Sequence, residues 1–495
     1  MNRRGNATAQ AWAALGGDAG LLERVDHVEG GRSLVSRLPV MALARSTVAA
    51  CSLAAAELAA RRTGAPVPRV RVDDAAVATA FLSERLLRVE GRAPMNFARL
   101  SRFWETADGW LRTHANYPHH RGRLLSALGV DTSGGDVPAV ERLSAVLAER
   151  KAEEVEEKVY AAGGLAVALR GPKQWASHPQ GAAVAAGPLV ALEPATGTSV
   201  SPSAGTDRGG ADPARPAAGI RVLDLTRVIA GPVATRTLAL LGADVLRVDL
   251  PGLAESQDLY ADTGLGKRSA SLDLADSTDG AVFEELLSTA DVVVTGYRPG
   301  SLDGFGLSPE ALLDRRPGLV VAELSAWGPG SARAATAGRA APWAGRRGFD
   351  SLVQVACGIA ATEAGPDGRP GALPAQALDH GSGYLLAAAV LRALTERLDD
   401  GGGRLVSLSL ARTAGWLLEL AEDPETRDAE QVSQGGGQGA GDAVAPAEDP
   451  VANLIERTGP LGRMRYARSP VRYEGGPADW AGLPGPFGGD RPAWS

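Results

Sequence analysis

One aspartate, Asp379, stands where a helix rich in alanine and leucine is predicted to begin. It is followed by Gly381 and Gly383, residues that allow a backbone to come close to a ligand. A carboxylate of ordinary pKa, about 3.9, is ionised at neutral pH and can attack an electrophile without a partner base. Aspartate is also common as a helix N-cap, where it accepts a backbone hydrogen bond. The local pattern therefore leaves two roles open for Asp379, nucleophile and cap.

The segment that carries Asp379 is Leu373–Leu398, LPAQALDHGSGYLLAAAVLRALTERL. Its apolar positions recur at steps of three and four residues, which indicates a helix with one buried face. His380 is a second titratable group in the same turn. We expect its imidazole to face away from the Asp379 carboxylate, because adjacent residues of a helix point in different directions.

The composition of the 495-residue chain limits the classes of protein to consider. Its length suits about three domains, and its net charge of −7 argues against a nucleic-acid binder. Two cysteines, Cys51 and Cys357, are too few for a disulfide scaffold. No stretch approaches the ~20 uncharged apolar residues of a membrane span, because Arg45 and Glu57 interrupt the best candidate. We therefore expect a soluble, cytoplasmic protein with no nucleic-acid and no membrane partner.

The clearest boundary in the chain is the segment 193–218, which is rich in Pro, Gly, Ala, Ser and Thr and is predicted to be a flexible linker. The part before it, 1–192, is predicted to contain an Ala-rich helix, two short strands, one charged helix, and a loop that enters an apolar strand. These lie at Met41–Arg61, at Val70–Val72 and Trp110–His114, at Val140–Tyr160, and at Trp175–Ala191.

Beyond the linker, over 219–421, strands and helices alternate. The strands are predicted at Ile220–Leu225, Asp244–Val248, Val292–Thr295, Leu319–Leu324 and Arg404–Leu408, and the helices at Pro232–Leu241, Ser277–Thr289, Ser308–Asp314 and Thr413–Leu420. Such alternation predicts an α/β fold with a doubly wound, mostly parallel sheet, on which ligands bind at the carboxyl ends of the strands. A low-complexity loop, 422–449, and an irregular tail, 450–495, follow.

An internal repeat links the two parts of the chain. Leu38–Arg61 aligns without gaps with Leu373–Glu396 and begins with the same Leu-Pro pair. In this alignment the counterpart of Asp379 is Ala44. We predict a duplication in which the first copy is degenerate and the second does the chemistry.

The first strand–helix turn lacks the nucleotide-binding fingerprint GxGxxG, and the chain has no GKS or GKT phosphate loop. Asp249, at the end of the second strand after the linker, could act as the ribose-binding acid of a NAD enzyme. Without the glycines this alternative is disfavoured.

Five sequence blocks after the linker occur in the order typical of the family III CoA-transferases, the formyl-CoA and carnitine CoA-transferase group. They are DLTRVIAGPVATRTLALLGADVLRVDLPG, GKRSASLDL, ADVVVTGYRPGSLDGFGL, GRRGFDSLVQVACGIA and LDHGSGYLLAAAVLRAL. The resemblance covers most of Gly219–Leu420. The N-terminal part resembles later portions of the family, with DGWLRTHANYPHHRGRLLSALGV at the opening of its small domain and WASHPQ at its exit. The resemblance implies a Rossmann-like domain plus a smaller α+β domain, here with a fused, degenerate N-terminal half.

The resemblance also implies a reaction. Asp379 would attack an acyl-CoA thioester, giving a mixed anhydride and then an aspartyl-CoA thioester, and a carboxylic acid would finally take the CoA. The resemblance assigns CoA contacts to Val228, Ile229, Ala230, Lys267, Tyr297 and Arg347. Lys267 and Arg347 could equally be solvated surface charges. CoA enters as a substrate, and the resemblance implies no permanently bound cofactor and no metal.

The chain departs from the family pattern at several polar positions. Leu250, Gly296 and Gly304 replace polar residues, and the GHD motif of racemases reads Gly348-Phe349-Asp350, which removes the base a racemase needs. Two alternatives stay open beside CoA transfer: an isomerase that moves CoA within one molecule, and a catalytically weak acyl-CoA-binding protein. We expect one active site per chain, built between the N-terminal and C-terminal halves, in a monomer or a homodimer.

Overall fold

A computed structural model describes residues 5–30, 34–94, 97–131, 133–195, 212–253, 255–328, 341–424, 426 and 450–495. In this part of the chain the α-helices are Gly5–Ala14, Val40–Thr63, Asp74–Phe81, Ser83–Leu86, Pro118–Leu128, Asp136–Ala148, Ala152–Ala161, Pro172–Ser177, Pro179–Ala185, Ala230–Leu240, Gln257–Thr263, Ser277–Ser288, Pro309–Arg315, Asp350–Ala356, Ile359–Thr362, Ala377–Asp400 and Leu410–Glu422. The strands, β1 to β15 in chain order, are Val25–Val28, Val70–Asp73, Arg88–Val89, Phe103–Thr106, Gly109–Thr113, Ala166–Ala168, Ala191–Pro194, Arg221–Leu225, Asp244–Asp249, Arg268–Ser271, Val292–Thr295, Val320–Ser325, Arg404–Ser409, Leu454–Gly459 and Gly462–Ala467.

The centre of the fold is a sheet that, within the described residues, has seven strands in the order β10-β9-β8-β11-β12-β13-β7. All neighbours pair in parallel except β13 and β7, which are antiparallel. The five strands predicted after the linker are confirmed. The strand order reverses direction between β8 and β11, and a doubly wound sheet opens its ligand crevice at such a point.

Apolar side chains cover both faces of this sheet. On one face they come from Ser277–Ser288 and Pro309–Arg315. On the other, Ala230–Leu240 packs against Ala377–Asp400, which in turn packs along Val40–Thr63. The Asp379 helix is therefore enclosed between two other helices, one from each side of the predicted linker.

The two long helices have closely matching ends. Each spans 24 residues, and the N-cap residues Pro39 and Gln376 share backbone angles of φ −76°, ψ 59° and φ −74°, ψ 63°. Each ends at a glycine in the left-handed conformation, Gly64 or Gly401. A strand and a helix follow each of them, as a repeat requires. The helix ends align Asp379 with Ala42 instead of Ala44, so the register predicted from sequence is wrong by two residues, although the counterpart is alanine in both registers.

Within the described residues, Val40–Thr63 is the one helix long and apolar enough to cross a membrane, and 94% of its most apolar window is buried inside the fold. It lies against the Asp379 helix and contributes to the same core. Its length and apolar character are therefore accounted for by packing between helices.

A smaller antiparallel sheet, β4-β5-β6, lies in the N-terminal part and has its own apolar core with the helices Pro118–Leu128, Asp136–Ala148 and Ala152–Ala161. The single helix predicted over Val140–Tyr160 is wrong. It breaks because the β4–β5 turn enters there: the Ala107 amide donates to the Arg150 carbonyl at 2.9 Å, and the Ala152 amide donates to Asp108 Oδ1 at 2.8 Å.

The loop predicted at Trp175–Ala191 is also wrong. Two short helices, Pro172–Ser177 and Pro179–Ala185, each begin at a proline. Proline suits the first helical position because its missing N–H would have no partner there. The strand that follows, β7, pairs with β13 across the predicted boundary.

Residues 196–211 of the predicted linker and most of the predicted low-complexity loop 422–449 lie outside the described residues. The tail contains a hairpin, β14–β15, that the sequence did not predict, and β15 pairs with β3 of the N-terminal half. Both halves thus contribute to shared sheets and to one large core.

Candidate active site

Asp379 is the third residue of its helix, and its carboxylate does not cap it. The N-cap is Gln376, whose side chain makes no capping hydrogen bond. The capping acceptor is instead Asp350 Oδ2, which takes the backbone hydrogens of Leu378 at 2.9 Å and of Asp379 at 3.0 Å. The cap alternative for Asp379 is therefore wrong, because a carboxylate from another helix already fills that role.

Asp350 is itself held in place by a buried network. Gln354 donates from Nε2 to Asp350 Oδ1, and its carbonyl oxygen accepts the Leu373 amide hydrogen at 2.9 Å. Asp350 opens the helix Asp350–Ala356, directly after Phe349. These bonds orient the two oxygens of Asp350 so that one stays directed at the first turn of the Asp379 helix.

The electrostatic environment of Asp379 is acidic. Only 6% of the residue is exposed, and burial together with the negative charges of Asp350 and Glu84 raises its pKa well above the ordinary value. Burial also raises the pKa of Asp350 to about 6, against its hydrogen bonds, which act in the other direction. The ordinary pKa expected for Asp379 is therefore wrong: clustered acids in a dry site resist ionising together.

Glu84 comes from the N-terminal half and pairs with His380. His380 Nε2 lies 3.1 Å from Glu84 Oε2, and its ring packs on Phe81 with centroids 5.3 Å apart. Burial opposes ionisation of Glu84, but the hydrogen bond and charge of His380, helped by Arg85, hold its pKa below the ordinary value. Within the described part of the chain the His380 side chain hydrogen-bonds Glu84 and not the Asp379 carboxylate, so it acts on the site through Glu84.

The two glycines after Asp379 serve helix packing. A Cβ at Gly381 would lie 2.7 Å from Leu43 Cδ2, and one at Gly383 would lie 2.6 Å from the Ala230 carbonyl oxygen. Both glycines lie inside the helix, and they allow neighbouring helices to approach closely instead of a ligand.

The segment Val228–Ala230 lies beside this helix, at the carboxyl end of β8. Val228 has φ 70°, a left-handed conformation that is costly for a β-branched residue. Its amide donates to Glu255 Oε2 at 3.0 Å, and Ala230 begins the helix that contacts Gly383. A strained backbone held by a buried acid, next to the crevice of the sheet, is typical of a functional loop.

Lys267 is placed differently from the sequence-based expectation of a solvent-facing CoA contact. Its side chain is 0% exposed, and Nζ donates to Asp224 Oδ2 at 2.9 Å and to Thr235 Oγ1 at 2.6 Å. The ammonium group is thus buried and serves as the counter-charge of Asp224. In this arrangement a phosphate does not reach it.

Tyr297 and Arg347 lie where a ligand can reach them. Tyr297 is half-buried at the end of β11, and burial with the nearby Asp249 raises its pKa to about 12. Arg347 is exposed and lines a cavity of about 330 Å³ together with Arg298, the residue after Tyr297, and Arg346. Burial and the charges of Arg298 and Arg123 lower the pKa of Arg347. Mutually repelling guanidinium groups around a cavity indicate an anion site.

The cavity also has walls from the N-terminal half, including Tyr160 and Glu157. The Tyr160 hydroxyl donates to the Arg347 carbonyl at 3.0 Å, and Arg346 donates to both Glu157 oxygens at 2.7 Å. The cavity therefore has walls from both halves of the chain. The residues that replace polar family positions, Leu250, Gly296 and Gly304, are all exposed.

Sequence reasoning missed several residues of this site. Asp350 drew notice only as the last residue of a motif lacking its histidine, and Glu84, Glu255 and Arg298 were not singled out. Acids within or just before short helices, as Glu84 and Glu255 are, and an arginine shortly after a predicted strand are too common to stand out without the fold.

The doubly wound sheet, the strained loop at its switch point and the buried aspartate together form the candidate site. Residues 217–447 match the family model described as CoA-transferase family III. The chain is 33% identical over 212 residues to the probable fatty acyl-CoA transferase Rv3272 of Mycobacterium tuberculosis, covering 40% of this chain and 51% of that protein.

It is also 32% identical over 204 residues to a formyl-CoA:oxalate CoA-transferase of Rhodopseudomonas palustris, covering 39% of this chain and 45% of that enzyme. A crystal structure of Rv3272 from M. tuberculosis matches with 32% identity and a TM-score of 0.37, over 45% of this chain and 58% of that one. The chain thus spans about half the length of the curated relatives it matches.

Proposed function

We propose that this protein transfers coenzyme A from an acyl-CoA thioester to a carboxylic acid, with Asp379 as the nucleophile. The observation that carries the proposal is that Asp350 caps the Asp379 helix, which leaves the Asp379 carboxylate without a structural duty. The names of the relatives, a fatty acyl-CoA transferase and a formyl-CoA:oxalate CoA-transferase, support the class of reaction.

The chemistry balances without a cofactor. An Asp379 carboxylate oxygen attacks the thioester carbonyl and CoA leaves as a thiolate, which gives an aspartyl-acyl anhydride. The thiolate attacks the Asp379 carbonyl of the anhydride and releases the donor acid, giving an aspartyl-CoA thioester. The acceptor carboxylate then attacks this thioester and expels the CoA thiolate, which gives a second anhydride between Asp379 and the acceptor. The thiolate attacks the acceptor carbonyl of this anhydride, and the new acyl-CoA forms as Asp379 leaves as the free carboxylate.

The raised pKa of Asp379 is compatible with this role. A carboxylate desolvated beside Asp350 and Glu84 is destabilised as an anion, and attack on the thioester removes its negative charge. The acidic surroundings thus favour the covalent adduct over the free carboxylate, at the expense of a smaller ionised fraction near neutral pH.

We assign CoA binding to the same edge of the sheet. The loop Val228–Ala230 and Tyr297 border the crevice, and Arg298 and Arg347 offer the cavity beside them to phosphate groups. We assign no CoA contact to Lys267, because Asp224 and Thr235 already occupy its ammonium group.

The test is trapping of the covalent adduct on the full chain. With an acyl-CoA present, hydroxylamine or borohydride should modify Asp379, as mapped by mass spectrometry, and Asp379→Asn should abolish the label. Asp276→Asn, an exposed helix N-cap, is the matched control and should keep it. Tight CoA binding without an adduct would favour the binding protein, and failure of isotopically labelled free acid to enter the product would favour the isomerase.

A further inference from the structure

A second group of cations lies on the N-terminal side of the site. Arg112, on strand β5, stacks its guanidinium over the ring of Phe103 at 4.8 Å and over that of Phe97 at 6.0 Å. Its Nε is buried without a hydrogen-bond partner, and among the described residues no carboxylate forms an ion pair with it. Arg112 is half-buried, and a buried guanidinium nitrogen without a hydrogen-bond partner is costly in a folded protein.

Two buried histidines surround the same place. His114 lies directly after the end of the strand, where the charge of Arg112 acts on it. Its ring is stacked on Phe349 with centroids 3.7 Å apart and planes within 4°. His120 is 3% exposed, and neither of its ring nitrogens has a partner. His114 is also buried, and its Nδ1 has none. Buried polar atoms left unpaired call for a ligand or ordered water.

This cluster lies next to the acid that caps the Asp379 helix. Phe349, on which His114 is stacked, precedes Asp350, the acid that caps the Asp379 helix. The negative charge of Asp350 acts on Arg112, whereas the charges that act on Asp379 are those of Asp350 and Glu84. Asp350 is therefore the group that connects a charge bound at Arg112 with the start of the Asp379 helix.

We propose that Arg112 and His114, with His120 behind them, form a subsite for the distal carboxylate of the acid, so that this protein selects dicarboxylic acids over monocarboxylic ones. This inference rests on the proposed CoA transfer. The carboxylate supplies the acid that Arg112 lacks and accepts hydrogen bonds from the guanidinium fork and an imidazole N–H. Burial lowers the pKa of His114 and of His120 to about 3, so each is neutral and retains one N–H to donate.

The experiment compares acids of equal chain length as CoA acceptors: succinate with butyrate, glutarate with valerate, and adipate with hexanoate. The wild-type chain should prefer the dicarboxylic acid of at least one pair by about 10- to 100-fold in kcat/KM, the range expected for hydrogen bonds to a charged group. Arg112→Gln should lose this preference, and Arg112→Lys should keep part of it. Arg102→Gln, which removes an exposed guanidinium stacked 5.4 Å from Trp104, should keep all of it.

Two results would overturn the subsite: no preference in any pair, or an Arg112→Gln variant that is folded and slows transfer to all acids equally, which would mean that Arg112 only positions Asp350. If no acid is a substrate and no Asp379 adduct forms, the proposed function itself fails. The subsite is then decided by calorimetry with succinate, glutarate and adipate: at least one of them should bind the wild type and not Arg112→Gln, and equal binding of each to both proteins would reject the subsite.

Discussion

The backbone amide of Asp379 donates its hydrogen to the side chain of Asp350, at 3.0 Å from Oδ2. Two carboxyl groups thus meet at the start of one helix with different duties. Asp350 accepts two amide hydrogens and a third hydrogen bond from Gln354, while the Asp379 carboxylate is left for chemistry. Both are buried, so the two cannot be ionised without mutual repulsion.

Removing the Asp350 carboxylate should therefore weaken both the fold and the reaction. Asp350→Ala leaves the first turn of the Asp379 helix uncapped, and we expect a loss of about 1–2 kcal/mol in the free energy of unfolding. Urea denaturation measures this loss. Adduct formation on Asp379 should fall as well, because the first turn that orients the nucleophile frays.

The matched control is Asp276, an exposed N-cap whose Oδ1 also accepts two amide hydrogens, from Thr278 at 2.8 Å and Asp279 at 3.1 Å. Asp276→Ala should cost a similar amount of stability and leave transfer unchanged. Full activity of folded Asp350→Ala would show that the cap does not position the nucleophile.

The raised pKa of Asp379 also has a consequence for stability. A carboxyl whose pKa is higher in the folded state than in the unfolded chain stabilises the fold below the unfolded value, near 3.8, and this stabilisation is lost as pH rises through the folded pKa. Asp379→Asn removes the titration. The variant should therefore be more stable than the wild type at pH 8, and its advantage should shrink at pH 4. Urea midpoints at the two pH values test this, and an equal difference at both would contradict it.

Glu84 should tune the pH dependence of the reaction. Its negative charge is one of the causes that raise the pKa of Asp379. Glu84→Gln removes the charge and keeps a side chain that can hydrogen-bond His380, so the acidic limb of the rate of adduct formation should move to lower pH. Stopped-flow rates between pH 4 and 8 measure the limb. A limb that stays in place would mean that Glu84 does not act on Asp379.

The cavity arginines should act on the phosphate groups of CoA. We expect Arg298→Gln or Arg347→Gln to raise KM for acyl-CoA about tenfold each, since each removes one charge-assisted contact. The KM for an acyl-pantetheine, which lacks the nucleotide, should not change. Arg315→Gln, which breaks an exposed ion pair with Glu284 at 2.9 Å, is the control and should affect neither. A uniform rise for both substrates would place the arginines elsewhere than at the phosphates.

Lys267 should behave as a structural residue. Lys267→Met leaves Asp224 buried without its counter-charge, and breaking such a pair costs about 3–5 kcal/mol. The double variant Lys267→Met/Asp224→Asn should recover part of that loss, because no uncompensated charge remains. Chemical denaturation of the three proteins gives the comparison. A stable Lys267→Met protein with a large rise in KM for acyl-CoA would restore the role of a CoA contact.

The sequence predicts the parallel strands well because they are buried on both faces and appear as apolar runs, as at Val292–Thr295. It fails for β10 and for the hairpin β14–β15, whose polar, half-exposed strands have no such pattern. The break near Arg150 could not be predicted either, since the hydrogen bonds that cause it come from the turn at Asp108.

Part of the candidate site could likewise be predicted from the sequence, and part could not. Asp379, Tyr297 and Arg347 could be proposed because they lie within sequence blocks that resemble a family. The acid that caps the Asp379 helix lies 29 residues earlier in the chain. The acid that pairs with Lys267 lies on strand β8. Local sequence does not encode which acid caps, which acid reacts or which cation is enclosed. Those distinctions arise only when the fold brings the elements together.

Under the proposed mechanism, the pair of long helices determines how many acyl groups one chain can carry. Only Ala377–Asp400 has an acidic residue in its first turn, and the matching position on Val40–Thr63 is Ala42. Active-site titration should therefore saturate at one equivalent per polypeptide, whatever the number of chains in the assembly. Turnover by one chain must be strictly sequential, with the donor acid released before the acceptor is converted.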